Sequence, residues 1–317
     1  MSAEIDRRRN YQLDNIRAIL IFLVVLGHLI PTTGAGYRGN LFNFIYTFHM
    51  AVFVFTSGYY ARFDRKKILK HYLWPYIFFQ TTYYYFNVFV LKTEAFFEFT
   101  TPYYTLWYLL TVATYYCCIP LFQIRNRKQA IIAFALSFLA ALLIGLDDTV
   151  GSYLSLSRTV TFLPFFLLGL YRHVLFDEPT AEKLKSKGIL IVAIIAIIGL
   201  EMAIWFSDVH PSVLRFDDEY TDISVLPIRF IAELLGLLWT FVLFRLVPTK
   251  KIKIVSIIGQ NTMPVFLLHG FIARFVTHYH ILHFEPAIND LFAVIMATII
   301  VLLLGNRALG KLFKEIF

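Results

Sequence analysis

The sequence predicts an all-α, polytopic integral membrane protein of about ten transmembrane helices, with both termini in the cytoplasm. Three observations lead there. Of the 317 residues, 58% are hydrophobic and only 16% charged, and the mean hydropathy is +0.66, a balance that belongs to chains dissolved in lipid. Ten apolar stretches approach the roughly 20 residues that a helix needs to cross a bilayer core of about 30 Å. The basic residues then segregate in the gaps. Of 29 Lys and Arg, 22 fall on one side and five on the other, and Arg17 and Arg229 lie within spans; the richer side is expected inside. The net charge of +8 therefore reflects membrane topology, and a nucleic-acid partner is not expected.

In chain order the stretches are 13–33, 41–61, 72–92, 105–124, 129–147, 158–173, 188–206, 224–246, 254–275 and 290–306. The sixth is short and adjoins "DDTVGSYLSLS", which suits a re-entrant segment. The first is too long for a cleavable signal peptide and lacks a small-residue cleavage pattern. No internal repeat and no Ser- or Pro-rich linker interrupts the chain, so 1–317 reads as one membrane domain without an appended soluble domain. Cys117 and Cys118 are adjacent, which disfavours an unstrained disulfide between them.

The first stretch, "LDNIRAILIFLVVLGHL", carries Asp14, Arg17 and His28. At 100° per residue Arg17 and His28 share one face, about 16 Å apart along the axis, whereas Asp14 is about 21 Å from His28 and too far to touch it. Asp14 is instead expected to pair with Arg17 at the cytoplasmic boundary. His28 then falls near mid-membrane, where a titratable group is costly and faces a bundle interior or a cavity. A catalytic role and a neutral histidine bonded to another helix are the two readings.

The second stretch contains "YTFHMAVFVFTSGYYARFDRKK". His49 is about 20 Å of helical rise above Arg62, a depth at which it can meet His28, with interhelical hydrogen bonding as the alternative. Ser57 and Gly58 relax the helix and admit another backbone or a ligand. On a continuing helix Arg62 and Arg65, at i and i+3, project from one face and suit a phosphate clamp; a plain positive-inside cluster is the alternative.

Other charges stand apart. Arg229 and Glu233, at i and i+4, are expected to pair with each other. Glu201 lies inside the seventh span without a local partner and suits a functional role or a bundle-facing hydrogen bond, and Arg158 lies near the outer face, where an interface anchor is one reading. His269 is expected to serve packing. His278, His280 and His283 in "HYHILH" have metal-ligand character, but no Cys or carboxylate cluster completes a set, so no metal is expected.

These residues resemble the integral-membrane acyltransferase-three family along the whole chain, most specifically in the first two helices. The family's hallmark is Leu-Asp, then an Arg followed after ten residues by a His, here Leu13-Asp14, Arg17 and His28. A Phe-rich helix ending in Ser-Gly and followed by Arg-x-x-Arg comes next, here Ser57, Gly58, Arg62 and Arg65. The "FHM" with His49 is most similar to the branch named for fucose 4-O-acetylase. "LWYL" with Trp107, "RTVTFLPFFLLGLY" from Arg158, and "IGQNTMPVFLLHG" resemble further segments of the family.

The resemblance implies an acyl-CoA donor, acetyl-CoA above all, arriving from the cytoplasm. It implies a saccharide acceptor, either cell-surface or lipid-linked, on the outer side of a bacterial cytoplasmic membrane, with Arg158, Glu201 and Glu233 as acceptor-side candidates. Arg62 and Arg65 would meet the CoA phosphates, with Lys66 and Lys67 adding attraction. Ser57 and Gly58 line the donor's approach, and Trp107 would shape the acyl passage or serve as an aromatic packing residue. His28, aided by Arg17, Asp14 and His49, would act as general base, or else carry the acyl group itself. A polytopic transporter or flippase of a glycan or lipid-linked sugar is the alternative, since buried His and Glu also suit proton relays.

Overall fold

The computed structural model describes residues 9–30, 40–147, 150–151, 153–207, 211–216, 220, 222–281 and 286–317. Arg7, Arg8, Arg38 and His283 lie outside them, as do Asp148, Thr149 and Ser152 of the expected re-entrant segment. The described chain is all helical.

Helix α1 spans Tyr11–Leu29. Asn10 caps it, its side chain accepting from Leu13 N at 3.2 Å, which satisfies one of the unpaired first-turn donors. It ends where Pro31 forces Ile30 into extended backbone, as the residue before a proline avoids the α region. The second stretch is two helices, α2 (Asn40–Tyr46) and α3 (His49–Tyr59), joined at Thr47 and Phe48. After a non-helical segment at 61–64, α4 (Arg65–Ile68) runs through a π turn at Leu69–Leu73 into α5 (Trp74–Tyr85) and a second π turn at Phe86–Leu91. Helix α6 (Trp107–Cys118) gives way to a 3-10 turn at Ile119–Leu121, where Pro120 lacks the N–H that would continue the ladder. Both cysteines are free thiols.

Helix α7 (Arg127–Leu143) is followed by the short α8 (Leu156–Thr161) and α9 (Leu163–Leu170), which meet at 59°. Pro164 in the first turn of α9 suits that break. The basic loop "RHVLFDEPTAEKLKSK" folds into α10 (Arg172–Leu175) and α11 (Glu178–Leu184). Asp177 caps α11. Hydrogen bonds from Thr180, with Arg127 at 2.9 Å, hold its carboxyl below the usual range. Helices α12 (Lys187–Phe206) and α13 (Leu226–Leu246) are long, at 20 and 21 residues. Helices α14 (Lys253–Gln260) and α15 (Thr262–His278) meet at 78°, and α16 (Pro286–Leu304) and α17 (Arg307–Ile316) at 61°.

Among the described residues, five of the ten predicted stretches are helical segments long and apolar enough to cross a membrane by themselves, and three bent pairs raise the number to as many as eight. The remaining two, 72–92 and 105–124, are helical but interrupted, the first by π turns and the second by Pro120.

Burial sorts centre from periphery. The first two candidate spans are 67% and 78% buried within the protein, whereas those on α7 and α12 are 22% and 17% buried. The α7 and α12 helices are therefore apolar all round because they face lipid. At the centre, α1 packs on α3, α14, α15 and α16, and α3 packs on α9 and α13. The α3–α9 crossing is backbone to backbone. A Cβ on Gly58 would sit 2.2 Å from Phe166 O, and one on Gly169 would sit 2.3 Å from Phe55 O. Small residues at such a crossing are the ordinary means of close helix approach in lipid. Gly58 thus admits a neighbouring helix.

Candidate functional site

The last turn of α1 delivers His28 to the interior of the bundle, where it is half-buried. Its ring stands 4.6 Å from the Tyr104 ring, 5.4 Å from His269 and 6.4 Å from Tyr46. Among the described residues no group hydrogen-bonds its ring nitrogens. His49 stands at one remove: its ring packs 4.8 Å from Tyr46, and Tyr46 in turn meets His28.

His49 and His269 are oriented in the same way. His49 Nδ1 lies 2.7 Å from Ile45 O, and His269 Nδ1 lies 2.9 Å from Val265 O. A carbonyl oxygen only accepts, so the geometry assigns the proton to Nδ1 in both rings and leaves Nε2 as the lone-pair nitrogen. Among the described residues His269 Nε2 is buried with no hydrogen-bond partner. His269, expected to serve packing, stands beside His28 in the structure. The "LLHG" segment that carries it was the available signal. Tyr104 was missed entirely. It sits in a turn with φ of +52°, a backbone state uncommon outside glycine, and it brings Arg274 over its ring at 5.5 Å.

The other end of α1 is built from charge. Asp14 does not pair with Arg17. It takes Arg9 Nε at 2.7 Å and Gln260 Nε2 at 3.0 Å, with its side chain only 7% exposed. Arg17 instead reaches α3, donating to Thr56 Oγ1 at 3.3 Å and Thr56 O at 2.9 Å, with Tyr60 6.0 Å from its guanidinium. The expected pairing failed because Arg9, preceding the helix cap, folds back onto the first turn, a contact that helical spacing does not reveal.

Between the two ends runs a series of polar aromatics. Lys67 Nζ donates to Tyr116 Oη at 3.2 Å. Tyr116 Oη contacts Ser57 O at 3.5 Å, and Ser57 Oγ lies 2.5 Å from Tyr108 Oη. Tyr108 packs 5.1 Å from Phe266, which lies 6.1 Å from His269. Trp107 stacks on Phe162 at 5.5 Å and carries the Arg158 guanidinium at 4.8 Å over its ring. Arg158 Nε also donates to Arg215 O at 3.0 Å.

Arg62, Arg65 and Lys66 are exposed. Arg62 lies in the non-helical segment after α3, so the two arginines do not share one helical face as expected; the helix stops at Tyr59. Arg229 and Glu233 do not pair either. The Arg229 guanidinium lies 4.4 Å over Phe216 and 5.1 Å from Tyr220 and donates to Val213 O at 3.3 Å, while Glu233 Oε2 is buried without a hydrogen-bond partner. Glu201 is held by Thr47 and Trp239, in a recess of its own. His278 and His280 are exposed at the end of α15.

A family model described as an acyltransferase domain, that of acyltransferase-three, matches residues 10–306. No curated protein and no solved structure matches the chain.

Proposed function

Since the chain belongs to the acyltransferase-three family, we propose that this membrane acyltransferase moves an acyl group, acetyl in the first instance, from cytoplasmic acyl-CoA to a saccharide hydroxyl on the outer side. The fucose 4-O-acetylase-like branch, a cell-surface or lipid-linked glycan acceptor and a bacterial cytoplasmic membrane with both termini inside belong to the same proposal. The observation that carries it is the layout along α1. A basic cluster with Arg17 stands at one end, an uncommitted imidazole at the other, and polar aromatics run between.

In this reading Arg62, Arg65 and Lys66 meet the CoA phosphates, with Arg17 and Lys67 deeper along the path. The pantetheine arm follows Tyr116, Ser57 and Tyr108 toward Trp107, and the thioester reaches His28. His28 takes the proton of the acceptor hydroxyl as its oxygen attacks the thioester carbonyl. The C–S bond breaks, and the leaving CoA sulfur takes the proton back. A general base of this kind contributes about 10²- to 10⁴-fold. Transfer through an acyl-His28 intermediate is the variant of the same chemistry. Asp14 and His49 act by position, the first at the α1–α14 joint and the second behind Tyr46.

The test is transfer of labelled acetyl from acetyl-CoA to the surface glycan in cells carrying wild type or His28→Ala at equal expression. Full acetylation by the alanine variant would overturn the assignment. No observation favours the glycan transporter.

A further inference from the structure

Among the described residues the ring nearest to His28 is that of Tyr104, at 4.6 Å between centres, against 5.4 Å for His269 and 6.4 Å for Tyr46. Its place is set by the chain on either side. Gln80 of α5 is only 1% exposed and spends both ends of its amide on the turn before Tyr104. Its Nε2 donates to Glu98 O at 2.9 Å and to Thr101 O at 2.8 Å, and its Oε1 accepts from Tyr103 N at 2.9 Å. On the other side Leu106 N returns to Tyr103 O at 3.0 Å and Tyr108 N to Thr105 O at 3.3 Å, the bonds that open α6.

Between these two sets of bonds Tyr104 takes φ of +52°. A bulky residue in that state is costly, and it persists only where the surroundings over-determine it. Glycine would adopt the same backbone at no steric cost; this turn carries a phenol instead, and the phenol meets His28. The ring is also closely received on α15. A Cβ at Gly270 would fall 2.9 Å from Tyr104 Cδ1, and Arg274, one turn further on, stands 5.5 Å from the ring centre. Tyr104 lies just ahead of Trp107 and Tyr108 of α6, along which the donor arm is proposed to run. A fixed phenol beside the imidazole, with a cation close by, suits negative charge developing on a carbonyl oxygen.

We propose that Tyr104 is a second catalytic group of the acyl transfer, donating its hydroxyl to the thioester carbonyl oxygen, and that Gln80 positions it. This role rests on the acyl-transfer reading. As the acceptor oxygen adds to the acyl carbon, its proton passes to His28 and the carbonyl oxygen becomes negative. The Tyr104 O–H bonds that oxygen and keeps its own proton. When the carbonyl re-forms, the C–S bond breaks and the CoA sulfur takes the proton from His28.

The test uses inverted membrane vesicles from cells expressing the full chain, which present the cytoplasmic face outward and enclose the endogenous glycan. Labelled acetyl-CoA is the donor, and rates per copy of protein are taken over a range of its concentration. Tyr104→Phe keeps the ring and removes only the hydroxyl. It is expected to lower the maximal rate about 10²- to 10³-fold, the usual loss for one oxyanion donor, with KM for acetyl-CoA near wild type. Gln80→Leu should lower the maximal rate about tenfold or more. Added to Tyr104→Phe it should cost nothing further, because the group it places is already gone. Tyr104→Phe decides the matter even where Gln80→Leu fails to accumulate. A Tyr104→Phe rate equal to wild type, or a change confined to KM, would overturn the catalytic role and leave acyl transfer itself standing. Full additivity of the two substitutions would overturn the positioning by Gln80. Wild-type vesicles that transfer no acetyl would instead overturn the acyl-transfer reading, and the role of Tyr104 with it.

Discussion

The His269 ring stands 5.4 Å from the His28 ring, and its own Nδ1 is committed to Val265 O. Charge that develops on His28 thus arises next to a second imidazole whose Nδ1 is already held by the backbone. His269→Ala is therefore expected to lower kcat for acyl transfer by about 10-fold or more while leaving KM for acyl-CoA near wild type, since the residue acts through His28. Steady-state kinetics on purified protein separate the two parameters. A change confined to KM would place His269 on the donor path instead.

The exposed arginines should behave in the opposite way. Arg62→Ala and Arg65→Ala are each expected to raise KM for acyl-CoA by about tenfold with kcat little changed, as loss of a charge-assisted phosphate contact does. The effect should shrink as salt rises, because exposed charges are screened beyond about 10 Å at 0.1 M. Initial rates at two ionic strengths check both points.

Helix spacing read the first two spans well and the polar contacts poorly. Arg17 and His28 do lie on one helix, His28 in its last turn, and the length of apolar sequence was enough to find it. Three pairings assumed an uninterrupted helix or a nearest neighbour. Asp14 turns to Arg9 and Gln260, Arg62 lies beyond the end of its helix, and Arg229 prefers aromatic faces to Glu233. His269 and Tyr104 reach His28 from segments more than 70 positions away, and local periodicity carries no term for such contacts. The π turns at Leu69–Leu73 and Phe86–Leu91 leave no mark on hydropathy at all.

Gly58 offers a stability test free of the chemistry. Any side chain there collides with Phe166 O, a backbone atom that cannot rotate aside. Gly58→Ala is expected to destabilise the protein by about 1–3 kcal/mol, the usual range for overpacking. Thermal unfolding in detergent, followed with and without acyl-CoA, should show a lower midpoint; an unchanged midpoint would mean that α3 and α9 separate freely.

Ser57 and Tyr108 form the short hydroxyl pair midway along the path. Ser57→Ala leaves the Tyr108 hydroxyl without this partner, whereas after Tyr108→Phe the Ser57 hydroxyl still donates to Phe53 O at 3.3 Å, so the first should cost about 0.5–1.5 kcal/mol and the second less. The double variant should cost less than their sum. A double-mutant cycle on stability measures that coupling directly, and strict additivity would show that the two hydroxyls do not bond.

The contact of Asp14 with Gln260 joins positions 246 apart in the chain, and Gly259 is pressed so closely on Asp14 that a Cβ there would fall 1.7 Å from its carbonyl oxygen. An early helix of this chain is thus seated by one made more than 200 residues later. Until α14 and α15 emerge, α1 must wait in lipid with its buried carboxylate and imidazole short of their neighbours, the expensive part of building this protein. Nascent chains stopped before residue 253 should consequently leave α1 open to membrane-embedded probes, and release of the remainder should close it.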